Sequence, residues 1–317
     1  MYVTIFMSIL LFCSTLTVSR KITRRSNPLH KGLKESATHS THKRHEPLHS
    51  THKRHAFHPV APPVEYVLGG EDKKVHSAVI ILPGIAMTGP KYVDGEVKPG
   101  VKVPGFASKA FFEDAGVEAG TRVICASSGT TKDPGQLAIL KRAGVGDGHE
   151  PQPSWFDQAK DMRDPKSFFD WSKPDAAKST AYVQSLIRDQ IKRGVAAERV
   201  FVLGHSAGGC VGSRAALTFP DATLGGLIML SAWHASQDLE EVTSEAQRRK
   251  LKVFAAHSPD DRAIVYNVVV EMYELVKAVV GKHNFIFVKE DDNFPPSNHL
   301  PFVPSVKKGI ADMLQKK

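Results

Sequence analysis

The sequence predicts an α/β protein: a mostly parallel central sheet covered by helices on both faces, in a single domain. Three observations carry that expectation. Short, continuously apolar runs such as Val79-Ile-Ile-Leu82 and Val200-Phe-Val-Leu203 recur along the chain, the texture of strands buried on both faces. Segments with helical apolar spacing alternate with them, clearest at 176–193, with apolar Ala177, Ala181, Val183, Leu186, Ile187 and Ile191. The composition, 41% hydrophobic and 24% charged over 317 residues, is that of a globular chain long enough for one large core. Three cysteines exclude a disulfide-stapled scaffold, and no Cys-x-x-Cys pair suggests zinc.

Taken in order, the chain opens with an apolar run at 1–19 that ends in small residues and carries no charge. It reads as a secretory signal peptide, which points to the secretory pathway or secretion. Arg20, Lys21, Arg24 and Arg25 lie on its far side, so an uncut membrane anchor is the alternative reading. Residues 20–58 have little apolar content and repeat His39-Ser-Thr-His-Lys-Arg-His45 as His49-Ser-Thr-His-Lys-Arg-His55. Such a segment cannot bury enough surface to offset its ordering entropy, and it is expected to be disordered. It would serve as a solvated spacer or propeptide, as a weak metal-binding segment, as a contact to an anionic surface, or as the second half of a bipartite plastid leader.

The charge also sorts here. Residues 20–58 contain ten Lys/Arg against two Glu, so nearly all of the chain's net +9 sits in the leader. The body, 59–317, is almost neutral, and nothing in it points to a nucleic-acid partner.

Within the body, strands are expected at 64–68, 76–82, 122–126, 200–203, 227–230, 251–256 and 285–288. Helices are expected at 176–193, 207–218, 265–280 and 303–314. The stretch 129–154, rich in Gly, Pro and charge, interrupts the alternation and reads as a long loop on the rim of a site.

The chemistry enters at Gly204-His205-Ser206-Ala207-Gly208, set between the 200–203 strand and the 207–218 helix. A serine on so sharp a strand-to-helix turn is presented over the carboxyl ends of the strands, and small neighbours let the backbone bend there. This nucleophile elbow turns the general α/β expectation into an α/β-hydrolase fold. In that fold an acid and then a histidine follow the serine, each after a later strand. Among downstream histidines, His283 precedes its strand, and His234 and His257 come before any suitable acid. His299 remains as the base. The acid follows the 251–256 strand, where ordering alone leaves Asp260 and Asp261 open. A second oxyanion donor is expected after the early strand, in Leu82-Pro-Gly-Ile85, whose Ile85 N–H would join that of Ala207 at the helix N-terminus.

These residues resemble the acyl-protein thioesterase and phospholipase/carboxylesterase family of α/β-hydrolases. Leu82-Pro-Gly-Ile-Ala-Met-Thr-Gly89 is similar to that family's "LHGLGDTG" loop. Pro153-Ser-Trp-Phe-Asp157 matches its "PSWFD" segment, and 199–209 resembles its "NRIVLGGFSQGG" elbow. Ser231-Ala-Trp233 corresponds to its "SCW", and His257-Ser-Pro-Asp-Asp261 fits "HGxxD". The resemblance implies a triad of Ser206, Asp261 and His299, with Asp261 rather than Asp260 as the acid. Pro83, Met87, Ala207 and Ser258 depart from the family's His, Asp, Gln and Gly.

The expected activity is hydrolysis of carboxylic esters or thioesters through an acyl-enzyme, with no metal or organic cofactor. Its substrate would be an acylated small molecule, a lipid or an acyl-protein. Trp155, Phe156 and Trp233 are candidates for lining an acyl site, with core packing as the alternative. A small-ester or dienelactone-type hydrolase is the rival enzyme. A His-rich binding protein on a hydrolase scaffold is the rival outside enzymes.

Overall fold

The computed structural model describes residues 57–98, 101–102, 107–142, 146–157, 173–234, 247, 249–261, 263–264, 266–289, 299 and 304–315. The expectations for 1–19 and 20–58 lie outside these residues, apart from Phe57 and His58.

Among the described residues eleven strands follow in chain order: β1 (Val64–Val67), β2 (Ser77–Leu82), β3 (Glu96–Lys98), β4 (Val101–Lys102), β5 (Thr121–Cys125) and β6 (Gly129–Thr131), then β7 (Gln152–Ser154), β8 (Val200–His205), β9 (Gly226–Leu230), β10 (Val253–His257) and β11 (Phe285–Lys289). Seven of them form one sheet in the order β1-β5-β2-β8-β9-β10-β11. Within it only β1 runs antiparallel to its neighbour, with Val64 opposite Cys125. The remaining four make two small antiparallel ladders. This is an α/β-hydrolase sheet.

The continuous apolar runs are explained by the two layers. Successive side chains on a strand point to opposite faces. Ile80, Val202 and Met229 pack beneath helices Lys173–Lys192, Ala207–Leu217 and Tyr266–Val280. Ile81, Leu203 and Ile228 face the other way, against Phe112 and the helix Pro304–Gln315. With both faces covered, a polar residue at either parity would be buried, so the strands cannot alternate.

The expected rim loop at 129–154 is ordered differently from its reading. Gly129–Thr131 pairs with Gln152–Ser154, and the helix Pro134–Arg142 fills the excursion between them. Asp133 caps that helix by accepting from the Gln136 N–H at 2.8 Å. Three-residue strands of Gly, Thr and Pro carry no apolar period, so nothing in the sequence marked them.

Phe57 joins the core ahead of the expected boundary at 59. Its ring stacks on Tyr182 at 4.7 Å between centroids, and lies parallel to Trp155 at 6.5 Å. Phe57→Ala should lower stability by about 1–3 kcal/mol, and a chain started at Pro59 should melt below one started at Phe57. Equal melting temperatures would show that the stack contributes nothing.

Candidate active site

From β2 the chain turns to β5 on one side of it and later returns to β8 on the other. The crevice over the carboxyl ends of β2 and β8 is therefore where a ligand should bind. Gly84-Ile85 and Ser206 lie at those two ends. A Cβ built on Gly84 would lie 3.3 Å from the Ser206 Cβ, so the early turn rests directly against the serine.

Ser206 holds φ 53° and ψ −127°, a left-handed conformation that costs a residue with a Cβ roughly 1–3 kcal/mol. The surroundings impose it. Its N–H donates to the Leu230 carbonyl at 3.0 Å, and its own carbonyl accepts from Gly209 at 2.9 Å as the helix Ala207–Leu217 begins. The neighbouring glycines allow the bend. A Cβ on Gly208 would lie 2.2 Å from the Leu82 carbonyl oxygen, and one on Gly209 2.3 Å from the Ala232 Cβ. Among the described residues the other non-glycine residues in this region are Ala86 at φ 62° and Ser231 at φ 44°. They follow β2 and β9, so backbone strain is concentrated around the same crevice.

Ser206, His299 and Asp261 form one chain of hydrogen bonds. His299 Nε2 lies 3.0 Å from Ser206 Oγ, and His299 Nδ1 lies 2.9 Å from Asp261 Oδ2. Asp261 Oδ1 accepts from the N–H groups of Ala263 at 2.8 Å and Ile264 at 3.0 Å. Burial by itself would raise the Asp261 pKa. The His299 hydrogen bond, nearby imidazole charge and the Ile264 N–H outweigh it and hold the carboxyl below its ordinary range. The Asp261 side chain is shut from solvent while the His299 side chain keeps 26% of its surface. The open end of the chain therefore faces the crevice. Of the two carboxylates that chain order left open, it is Asp261 that takes part in this chain of hydrogen bonds.

Two further histidines lie at the site: His257, which chain order set aside as the base, and His205, to which the sequence reading gave no role. His257 is buried beside Asp261, 3.6 Å from Oδ2, and its Nε2 donates to the Ile264 carbonyl at 3.1 Å. Burial lowers its pKa, so it braces the acid loop as a neutral ring. His205 ends β8, and its Nε2 lies 2.9 Å from the His299 carbonyl oxygen. Burial, with the charge of His299 next, pushes its pKa down to about 3. The available signal was a polar residue where the family elbow carries Phe.

Buried imidazoles make the fold acid-sensitive. His234, whose Nδ1 is 2.8 Å from Ser213 Oγ, is likewise lowered, to about 4, by burial and then by Arg214. Between an ordinary imidazole value of 6.5 and about 4, the unfolded chain binds these protons and the folded chain does not. Stability is therefore full above that window and declines as the pH falls through it. At pH ~5, His205 and His234 should each have cost about 2 kcal/mol relative to pH ~8. Thermal melting at the two pH values checks this, and equal stability would show that these rings are not buried as neutral groups.

The turn expected to hold the oxyanion is tied down by the Pro153-Ser-Trp-Phe-Asp157 segment. The Trp155 indole N–H donates to the Pro83 carbonyl at 2.7 Å, and the Ala86 N–H donates to the Pro153 carbonyl at 2.8 Å. Ile85, between those anchors, is half-buried, and Ala207 opens its helix, where geometry leaves the N–H without an intrahelical acceptor. The three aromatics expected to line an acyl site are placed otherwise. Trp155, Phe156 and Trp233 are 1%, 5% and 2% exposed, with Phe156 edge-on to Trp233 at 6.3 Å. All three are packed into the core: Trp155 and Phe156 on the 153–157 segment, where the Ser179 hydroxyl of the helix Lys173–Lys192 donates to the Trp155 carbonyl, and Trp233 just after β9. Trp155 braces the turn rather than walling a pocket.

A family model described as phospholipase/carboxylesterase matches residues 145–299, a span that holds Ser206, Asp261 and His299. That segment, just under half of the chain, is what resembles the family. Among solved structures, the chain is similar to SOBER1 of Arabidopsis thaliana, at 17% identity and a TM-score of 0.55 over 76% of this chain and 98% of that one. It is also similar to acyl-protein thioesterase 2 of Zea mays, at 16% identity and 0.52 over 80% and 98%. Esterase PE8 matches at 15% identity and 0.53 over 82% and 98%. At these identities the likeness is one of fold. No curated protein matches the chain.

Proposed function

We propose that this protein is a serine hydrolase that cleaves carboxylic esters or thioesters through a Ser206–His299–Asp261 triad. The observation that carries the reading is the unbroken chain from Ser206 Oγ through both ring nitrogens of His299 to Asp261. Ser206 Oγ attacks the acyl carbonyl carbon while His299 Nε2 takes its proton. The carbonyl oxygen becomes an oxyanion, held by the N–H groups of Ile85 and Ala207. As the intermediate collapses, the C–O or C–S bond breaks and His299 returns the proton to the departing alcohol or thiol. Water, activated by the same imidazole, then releases the acid from Ser206. Asp261 keeps Nδ1–H toward itself, and so leaves Nε2 free to accept. Neither half of the cycle calls for a metal or organic cofactor.

The family and the fold neighbours named as esterase and acyl-protein thioesterase support this class. A hydrolysis profile across short- to long-chain p-nitrophenyl esters and a palmitoyl thioester tests it. Turnover confined to short esters would favour a small-ester hydrolase over a thioesterase. Absence of turnover on every substrate, with no fluorophosphonate labelling, would overturn the proposal.

A further inference from the structure

We propose that His205 is a positioning residue for the base: its Nε2–H holds the main-chain carbonyl of His299 and so fastens the base's backbone to the nucleophile elbow. The inference rests on His299 being the base, as proposed above. A carbonyl oxygen can only accept, so the 2.9 Å contact makes Nε2 the protonated nitrogen of a neutral His205 ring. Burial keeps the ring in that form, and it does not compete with His299 for the serine proton. The ring itself has little freedom. Tyr92 stacks on one side at 6.1 Å between centroids, His299 lies at 5.1 Å, and a Cβ on Gly84 would meet Nδ1 at 3.3 Å.

The clamp does something the acid cannot. Asp261 holds one ring nitrogen of His299, which sets the tautomer and the tilt of the imidazole. It leaves the backbone beneath that ring free to shift along the Ser206–Asp261 line. A second hold, on the carbonyl of His299 itself, removes that freedom. It originates one residue before Ser206, on the last residue of β8, so nucleophile and base are referred to the same strand end. The family elbow quoted above carries Phe at this position, which fills a similar volume and donates nothing.

That difference supplies the experiment. The full chain is compared with His205→Phe and His205→Gln by p-nitrophenyl butyrate kinetics, fluorophosphonate labelling and thermal melting. In His205→Phe, kcat and the labelling rate should fall about ten- to a hundredfold with KM nearly unchanged, as expected when a reacting group drifts from its attack position. His205→Gln, which restores an N–H near Nε2, should recover most of the loss. Wild-type rates in His205→Phe, equal losses in both variants, or losses that follow KM would overturn the clamp. Histidine ¹⁵N NMR of the wild type decides the case if the variants do not fold: His205 should show a neutral Nε2–H ring, and an Nδ1–H tautomer would overturn the proposal. A wild type that neither hydrolyses nor labels defeats the function proposed above, while the NMR result still judges the clamp.

Discussion

Ser206→Ala should abolish fluorophosphonate labelling and lower ester turnover by about 10⁴-fold or more, because members of a triad act as a unit. His299→Ala should fall nearly as far. Asp261→Asn should lose somewhat less in turnover, but the asparagine NH₂ can turn toward Nδ1 and favour the tautomer that has no lone pair for the serine. Asp260→Asn should be mild, since Asp261 alone reaches His299, at 2.9 Å. Each variant is measured by p-nitrophenyl butyrate turnover with circular dichroism as the control for folding. A damaging Asp260→Asn beside a mild Asp261→Asn would remove the acid assignment, and residual labelling of Ser206→Ala would remove the nucleophile.

Trp155→Ala should destabilise the fold by about 3–5 kcal/mol, the cost of emptying a large buried aromatic site. The more informative change is Trp155→Phe, which keeps most of the packing and removes the 2.7 Å hydrogen bond to the Pro83 carbonyl. That buried carbonyl is then left with an unmet acceptor, a loss of about 1–3 kcal/mol. The turn carrying Ile85 loses one of its two anchors, and kcat should fall while substrate binding holds, because the oxyanion exists only along the reaction path. Melting temperature and the separate values of kcat and KM decide this. If Trp155→Phe instead alters KM in step with acyl-chain length and leaves stability intact, the residue belongs to an acyl pocket after all.

Much of this arrangement was legible in the linear chain because it depends on local chemistry. The Gly-x-Ser-x-Gly turn needs a strand before it and a helix after it, and both are encoded within about ten residues of Ser206. The apolar strands are readable for the same reason: a strand buried on two faces must be apolar at both parities, whatever its partners. His299 was reachable by elimination, since chain order excludes the other downstream histidines. Asp261 was not reachable in that way. Two adjacent carboxylates follow β10, and the hydrogen bonds from Ala263 and Ile264 that turn one of them toward His299 are properties of a folded loop.

The aromatic segment shows where such reading stops. Pro153-Ser-Trp-Phe-Asp157 is a recognisable string, but a string does not say which side of a wall its side chains are on. Trp155 proved to face inward, where its indole N–H reaches a carbonyl 72 residues earlier in the chain. The short ladder of Gly129–Thr131 with Gln152–Ser154 was invisible for a related reason: its strands are stabilised by what they lie against and carry no period of their own.

The sequence by itself determined the fold class, and it pointed to the elbow and to Ser206 and His299 as the residues to examine, because each follows from propensity, hydrophobic period or chain order. Only the tertiary structure decided that Asp261 lies 2.9 Å from His299, that the Trp155 indole meets the Pro83 carbonyl, and that His205 Nε2 meets the carbonyl of His299. These depend on distances between residues far apart in the chain, and such distances are set when the sheet and its two helical layers close around the crevice.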